Sequence, residues 1–248
     1  MKKIVIVGAT SRIAHMCARL WVQEDCDEIV LVGRNTEKLN TVASDLKTRN
    51  SNLLCETKIV DFFNKDEIQN CVDSVCSKRV PDIILIAQGS SLPENEILRQ
   101  DLSLEEYSIR LNFISVILFL ESFVKYCEIV GAGSIAVIGS VAGDRGRASN
   151  YIYGSSKAAI DTYVSGLSHL LALKNSNVHI TLVKPGPTES PLTAGLSLKK
   201  LASPEAVAKS IVKAISSNKR LVYTPIRWKF IMFIVKFLPI FIFNKTNF

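Results

Sequence analysis

Tyr153 and Lys157 are the residues of this chain with the clearest potential for chemistry, because they lie four positions apart. In a helix, residues i and i+4 share a face, so the phenol and the ammonium are expected to be neighbours. A free tyrosine has a pKa of about 10, and a nearby cation favours the phenolate and lowers that pKa. The spacing therefore predicts a tyrosine that acts as a general acid or base near neutral pH.

A second candidate site is the turn that follows the first apolar run, Gly8-Ala-Thr-Ser-Arg-Ile-Ala14. Small residues let a backbone approach a pyrophosphate, and the N-terminus of the next helix favours its negative charge. The full G-x-G-x-x-G pattern is absent, so an ordinary tight turn is the alternative. A cation in this turn favours the phosphate interpretation. The predicted contacts are Gly8, Thr10, Ser11, Arg12 and Ile13.

The end of the second apolar run bears on cofactor choice. A protein that prefers NAD places a carboxylate there for the ribose 2′-hydroxyl, but this chain has Gly33-Arg34. Arg12 and Arg34 together could hold a 2′-phosphate, which favours NADPH over NADH, although either arginine could also be a solvated surface residue. Asp61, after the third apolar run, is expected to accept a hydrogen bond from the adenine amino group.

These residues need a scaffold, and apolar runs alternate with helical segments along the chain. Strands are predicted at 4–7, 29–32, 53–60, 83–86, 134–138, 178–183 and 221–223, with one long helix over 104–127. Continuous apolar strands between helices predict a Rossmann-type α/β fold, a doubly wound parallel sheet with helices on both faces. We expect one domain over residues 1–224 and an appended apolar tail over residues 225–248. Ligands of such a sheet bind beyond the carboxyl ends of its strands.

Length and composition fit one large domain with a full core. The 248 residues are 48% hydrophobic, which excludes intrinsic disorder. The six cysteines show no paired spacing and are expected to be reduced core residues. Three histidines, His15, His169 and His179, form no metal or triad pattern, so no metal is predicted. A serine hydrolase is not supported, because no G-x-S-x-G elbow is present.

The formal charge of +7 is concentrated at the C-terminal end. Eight of the 30 basic residues follow Glu205 and no acidic residue does, which leaves 22 basic against 23 acidic residues in the first 205 positions. The tail includes Phe230-Ile-Met-Phe-Ile-Val-Lys-Phe-Leu-Pro-Ile-Phe-Ile-Phe243, which is too short and too interrupted for a membrane-spanning helix. We expect an anchor at a membrane interface; a core or dimer-interface helix is the alternative. Basic residues interleaved with aromatics are confined to this tail, so nucleic-acid binding is not expected.

Taken together, residues 3–224 resemble the short-chain dehydrogenase/reductase family. Arg12 and Ala14 stand where the family usually has its second and third turn glycines, and Gly89 is kept from the family's Asn-Asn-Ala-Gly segment. The resemblance implies a catalytic set in family order: Asn112, Ser140, Tyr153 and Lys157. It also implies nicotinamide-side contacts: Pro185, Gly186 and Ser190.

The roles implied by the family are specific. Tyr153 protonates a substrate carbonyl oxygen while the nicotinamide of NADP, or of NAD, delivers hydride to its carbon. Lys157 lowers the pKa of the tyrosine and holds the ribose hydroxyls. Ser140 donates a hydrogen bond to the reacting oxygen, and Asn112 positions a water that links Lys157 to solvent.

A narrower resemblance concerns the segment from Tyr151 to Lys157, the stretch 191–195 and the C-terminal run. These are similar to polyprenyl-phosphate keto-sugar reductases, a group that includes the reductase subunit of decaprenylphosphoryl-ribose epimerase. The resemblance implies a lipid-linked keto-sugar substrate in cell-envelope polysaccharide synthesis and a flavin oxidase partner. It also implies a cytoplasmic protein at the inner face of the membrane, and we expect a homo-oligomer. The alternatives are a reductase of acyl-carrier-linked or small ketones, and a non-catalytic nucleotide-binding scaffold.

Overall fold

Strands and helices alternate in the structure, a computed structural model that describes residues 2–90, 102–190 and 201–246. The strands are β1 (Lys2–Val7), β2 (Cys26–Gly33), β3 (Leu54–Ile59), β4 (Ile83–Ile86), β5 (Gly133–Ile138), β6 (Val178–Pro185) and β7 (Leu221–Thr224). The helices are α1 (Arg12–Glu24), α2 (Thr36–Arg49), α3 (Lys65–Cys76), α4 (Leu102–Ile109), α5 (Ser115–Val130), α6 (Tyr151–Leu173), α7 (Pro204–Ser216), α8 (Arg227–Phe237) and α9 (Ile240–Phe243).

The seven strands form a parallel sheet in the order β3-β2-β1-β4-β5-β6-β7. The central strand β1 pairs with β2 on one side and with β4 on the other, so Val7 lies beside both Val32 and Ile86. The direction of winding reverses between β1 and β4, which opens a crevice at their carboxyl ends. The predicted doubly wound α/β fold is confirmed, and the crevice is where its ligands are expected.

Successive side chains of β1 point into two different cores. Val5 and Val7 join the core covered by α3, α5 and α6, whereas Ile4 and Ile6 join the core covered by α1, α2 and α7. All four side chains are fully buried, and each contributes about 1.5–3 kcal/mol to the free energy of folding. The crevice therefore lies at the end of a strand that is buried on both faces of the sheet.

The six cysteines are all free. Five are buried and Cys55 is half-buried, as expected for small core residues. Burial raises the pKa of all six thiols, so none is an activated nucleophile.

The long helix predicted over residues 104–127 forms, and a wide π-helical turn over Arg110–Ile114 inside it separates α4 from α5. Asn112 lies in this turn and is fully buried. Its side-chain amide bonds to the backbone of Ser90 beyond β4, an interaction that helical periodicity does not reveal. Single π turns inside α-helices frequently mark functional positions.

The C-terminal segment is docked on the domain instead of forming the separate tail that the sequence suggested. Met232 and Val235 of α8 are buried against Val141, which follows β5. Pro239 then separates α8 from α9. No helix among the described residues is long and apolar enough to cross a bilayer.

Docking leaves a large apolar area of α8 and α9 in contact with solvent. We refer to this area as the C-terminal apolar surface, and its side chains are Phe230, Phe233, Ile234, Phe237, Ile240, Phe241 and Ile242. On α8 these side chains share one face, because they follow each other at intervals of three and four residues.

Candidate active site

Tyr153 and Lys157 lie in the first two turns of α6 and face the carboxyl end of β5. Lys157 is buried, and its Nζ donates a hydrogen bond of 2.9 Å to the carbonyl of Ile138, the last residue of β5. The same Nζ lies 5.7 Å from the centroid of the Tyr153 ring. The predicted pair therefore forms, and it forms at the sheet edge where ligands are expected.

Ser140 comes two residues after β5 and contacts the same tyrosine. Its Oγ accepts a hydrogen bond of 3.1 Å from the backbone N–H of Ala142, and the hydroxyl also hydrogen-bonds the Tyr153 phenol. The backbone of residues 140–143 thus fixes the serine at the phenol. A carbonyl oxygen placed between these two hydroxyls would contact both.

The electrostatics differ from the sequence prediction that Lys157 lowers the pKa of Tyr153. Burial raises the pKa of Tyr153, and a hydrogen bond with Ser140 and the charge of Arg147 offset this only in part. The cation that acts on the phenol is Arg147, because Lys157 is directed toward the Ile138 carbonyl. Tyr153 is therefore a neutral phenol at physiological pH.

Burial also changes the acidity of Lys157, whose pKa falls to about 8. The nearby Asp161 carboxylate opposes this fall, since a negative charge favours the ammonium. The cation in the site is consequently one that can titrate in the physiological range.

Asn112 completes the group from the π turn. Its Nδ2 donates to the carbonyls of Ser90, at 2.7 Å, and Ser108, at 3.0 Å, and its Oδ1 accepts from the N–H of Ser90 at 2.9 Å. A Cβ at Gly89 would lie 2.8 Å from this Oδ1 and 3.5 Å from Nζ of Lys157. Gly89 is thus required by the close approach of the end of β4 to both side chains.

The nucleotide side of the crevice begins at Gly8, directly after β1. Gly8 has φ +76°, and a Cβ there would lie 2.5 Å from the backbone nitrogen of Gln88, so only glycine fits. Thr10 and Arg12 are exposed, and Ser11 and Ile13 are half-buried, at the start of α1. Ser11 is the N-cap residue but makes no side-chain cap, which leaves the first N–H groups of α1 without a side-chain acceptor. These features fit a pyrophosphate of a dinucleotide.

Arg34 lies directly after β2, in the position that the sequence predicted for it at the end of the second strand. Its Nη1 donates to the Tyr107 hydroxyl at 2.9 Å, and its guanidinium lies 5.7 Å and 6.0 Å from the ring centroids of Phe62 and Phe63. The nearby Asp61 accepts a hydrogen bond from the N–H of Phe63 in a local turn before α3. An exposed arginine and an exposed carboxylate therefore flank the end of the crevice where the adenosine of a dinucleotide is expected.

Pro185 ends β6 on the opposite side of the crevice and Gly186 follows it, and both are buried. A Cβ on Gly186 would overlap the indole of Trp228, so this glycine lets the first turn of α8 reach the site. Ser190 is half-buried a few residues further on. The predicted substrate stretch 191–195 lies outside the described residues.

Sequence reasoning missed a buried ionic cluster behind Lys157. Lys184 of β6 forms ion pairs with Asp144 and Asp161, and Asp144 also accepts a hydrogen bond from the Tyr223 hydroxyl. Burial raises the pKa of Asp161 to about 6 despite the charge of Lys184. The sequence could have indicated Asp161, because it lies four positions after Lys157 and therefore on the same helix face.

Arg147 is the second missed residue. It lies in the connection between β5 and α6, is partly buried, and is close enough to Tyr153 for each to affect the pKa of the other. No periodicity in the sequence marks it, since its position depends on how this connection folds against α6.

A doubly wound parallel sheet with a tyrosine–lysine pair at its carboxyl edge defines a dinucleotide-binding oxidoreductase. The sequence model of the short chain dehydrogenase family matches residues 2–201, and the chain belongs to this family. It is therefore an NAD(P)-dependent oxidoreductase, as the resemblance implied.

Comparison with individual proteins supports the assignment over nearly the full length. The chain is 26% identical over 243 residues to an uncharacterized oxidoreductase of Mycobacterium tuberculosis, covering 98% of this chain and 96% of the relative. It is 28% identical over 220 residues to an uncharacterized oxidoreductase of Staphylococcus epidermidis, covering 87% of this chain and 91% of the relative.

Solved structures share the fold at lower identity. A short-chain dehydrogenase from Sphingobium yanoikuyae in complex with NADPH superimposes with a TM-score of 0.81 at 20% identity, covering 93% of this chain and 92% of that chain. A bulky-bulky ketone specific alcohol dehydrogenase from Comamonas testosteroni superimposes with a TM-score of 0.80 at 18% identity, covering 97% and 96%.

Proposed function

We propose that this protein is an NADPH-dependent reductase that converts a ketone to a secondary alcohol. The observation that carries the proposal is the convergence of the Tyr153 phenol, the Ser140 hydroxyl and the buried Lys157 ammonium at the carboxyl end of β5. When bound, the reduced nicotinamide supplies the hydride to the carbonyl carbon. The protein supplies orientation and the proton.

In this proposal, Tyr153 donates its phenolic proton to the developing alkoxide while Ser140 donates a hydrogen bond to the same oxygen. The raised pKa of Tyr153 keeps the phenol protonated before the reaction, which suits the reducing direction. Arg147 stabilises the phenolate left by proton donation, and Lys157 holds the ribose hydroxyls. Asn112 keeps the end of β4 close to Lys157 and positions the water that links this lysine to solvent.

We propose NADPH as the preferred cofactor, with NADH as a weaker substitute. Arg34 lies where an NAD-binding protein has a carboxylate, and Arg12 is exposed at the start of α1. The structurally similar Sphingobium yanoikuyae dehydrogenase is a complex with NADPH. Arg34→Asp should shift the ratio of kcat/KM values toward NADH by at least about tenfold, because it replaces a phosphate-binding cation with a carboxylate. An unchanged ratio would argue against the role of Arg34.

We further propose that the substrate is a keto-sugar on a polyprenyl phosphate, produced by a flavin oxidase partner, and that the protein belongs with the polyprenyl-phosphate keto-sugar reductases. Support comes from the C-terminal apolar surface, whose side chains are about two-thirds exposed apart from Ile242, which is 42% exposed. The basic residues on the same segment, Arg227, Lys229, Lys236 and Lys245, complement an anionic lipid surface. An apolar face flanked by cations is typical of helices that lie in a membrane interface.

The activity test uses the purified full chain with a synthetic polyprenyl-phosphate keto-pentose, following NADPH absorbance. Tyr153→Phe should lower kcat by at least about 10³-fold while NADPH affinity stays within a factor of about two, because it removes only the proton donor. Reduction of a soluble β-ketoacyl thioester with equal or better kcat/KM would refute the lipid-linked substrate. Full activity of the Tyr153 variant would refute the catalytic assignment.

The membrane test measures co-sedimentation with vesicles that contain anionic phospholipid. The double variant Phe233→Ser and Phe237→Ser removes two exposed aromatic side chains, so vesicle binding should fall by at least about tenfold. Leu54→Ser is the matched control, because Leu54 is equally exposed but lies on β3, away from the C-terminal apolar surface. Equal losses in both variants, or none in either, would contradict membrane docking through α8.

A further inference from the structure

A cavity separates the connection before α6 from α9. It has a volume of about 520 Å³ and is lined on one side by residues 145–149 and Tyr151, and on the other by α9 and the residues that follow it. Its position at the N-terminus of α6 places it two residues from Tyr153 along the helix. Arg147 lines the cavity and its charge acts on Tyr153, so the cavity adjoins the proposed reaction site.

The lining of this cavity is cationic. Arg145 and Arg147 both contribute to it, together with the polar side chains of Ser149 and Tyr151. No carboxylate is among the described residues that line it. The N-terminal end of α6 adds partial positive charge to the same wall. An anionic ligand group is the complement of such a lining.

The two arginines contact different parts of the protein. Arg145 is occupied by the C-terminal helices, since its Nη1 donates to the carbonyls of Val235, at 2.6 Å, and Leu238, at 2.5 Å, and its guanidinium stacks 3.9 Å from the centroid of the Phe243 ring. It holds α8 and α9 against the cavity. Arg147 instead lies on the side of Tyr153, close enough to influence its pKa.

The other wall of the cavity is continuous with the C-terminal apolar surface. Ile240 belongs to both, because it lines the cavity and is also about two-thirds exposed. An amphiphile could therefore place an anionic group beside Arg147 and extend an apolar chain over α9. Few ligand chemistries satisfy a cationic cavity that opens onto an apolar surface.

We propose that this cavity binds the phosphate group of a lipid-linked substrate, with Arg147 as its main cationic contact and with the apolar chain lying across Ile240. The proposal rests on the proposed function, since it identifies how that site would recognise the carrier of the keto-sugar. The phosphate would then lie beside Arg147, the cation that acts on the Tyr153 phenol.

The test is isothermal titration calorimetry of the full chain with farnesyl phosphate, and with farnesol and inorganic phosphate as separate probes. We expect farnesyl phosphate to bind at least about tenfold more tightly than either, because only this probe carries both groups. Arg147→Gln should weaken farnesyl phosphate binding by about 10- to 100-fold, the usual effect of losing one charge-assisted contact to phosphate. Arg147→Lys should retain most of the affinity.

Arg220→Gln is the control, because Arg220 is exposed and lies before β7, outside the cavity. NADPH affinity of the Arg147 variants checks that they fold. Ile240→Ser provides a second variant. It should weaken the binding of farnesyl phosphate severalfold and leave the binding of inorganic phosphate unchanged.

The outcomes separate this site from the proposed function. Farnesyl phosphate binding that is insensitive to Arg147→Gln, or matched by farnesol or by inorganic phosphate, would overturn the cavity assignment even if polyprenyl-phosphate keto-sugars are reduced. Arg147-dependent binding of farnesyl phosphate without turnover of such substrates would support the cavity and refute the proposed function.

Discussion

Substitution of Lys184 tests how much a buried ion-pair cluster behind the candidate active site contributes to the stability of the domain. Its side chain is 7% exposed and pairs with Asp144 and Asp161, which are 4% and 18% exposed. Lys184→Met keeps the approximate length of the side chain but removes the charge. Two buried carboxylates are then left without their cation, and the Asp144 carboxylate keeps the hydrogen bond that it accepts from the Tyr223 hydroxyl.

The expected loss is large because a charge without its partner is costly in a buried site. Removing one member of a buried ion pair typically costs about 3–5 kcal/mol of unfolding free energy. The matched control is Lys174→Met, which breaks the pair between Lys174 and Glu128, whose side chains are 51% and 30% exposed. An exposed pair of this kind contributes at most about 1 kcal/mol.

Urea unfolding at pH 7.5 and at pH 5 measures both variants. The pKa of Asp161 is already raised to about 6 in the folded protein, and removing Lys184 raises it further above the ordinary value of 3.8. The folded variant therefore binds protons that the unfolded chain releases, so its stability rises as the pH falls through the folded pKa toward 3.8. The loss caused by Lys184→Met should be smaller at pH 5. A loss below about 1 kcal/mol at pH 7.5, or an equal loss at both pH values, would refute the reasoning.

Three further predictions concern other parts of the domain. Gly8→Ala should weaken NADPH binding and lower the unfolding free energy by about 1–3 kcal/mol, because the site needs a positive φ; unchanged fluorescence titration with NADPH would contradict this. In pH–rate profiles, kcat/KM for reduction should fall above pH of about 8 as Lys157 loses its proton, and Lys157→Arg should abolish that limb while leaving the protein folded. Burial disfavours the Asp45 carboxylate, but hydrogen bonds from Arg19 and Arg49 outweigh this cost and lower its pKa. Asp45→Asn should therefore cost about 1–3 kcal/mol at pH 7, a difference that disappears in unfolding curves as the pH falls below 3.8.

The proposed nucleotide-binding half of the crevice rests on features of the local sequence. An apolar run that ends at Gly8 indicates both the strand and the turn after it, and the absence of a carboxylate beside Arg34 bears on cofactor choice without any structure. Such features depend on neighbours a few residues apart, which a sequence displays directly. The same is true of Tyr153 and Lys157, whose spacing matches one helical turn.

The effect of the surroundings on the pKa of Tyr153 could not be predicted from local sequence. The pair Tyr153 and Lys157 suggested a lowered tyrosine pKa, but burial raises it, and the cation that acts on the phenol is Arg147. Burial is a property of all surrounding elements, and the direction of the Lys157 ammonium depends on the carbonyl of Ile138. Neither the burial of Tyr153 nor the direction of the Lys157 ammonium can be inferred from residues that are close in sequence.

The sequence by itself determined the family, the parallel sheet and the order of the proposed catalytic residues, because strand and helix periodicities and short motifs are local. Only the tertiary structure decided that Asn112 lies in a π turn bonded to Ser90, that Lys184 neutralises two buried carboxylates behind Lys157, and that Trp228 brings α8 against Gly186. Each of these contacts joins residues more than twenty positions apart. Their formation depends on how the elements pack, because burial and charge pairing arise only once distant segments share the same space.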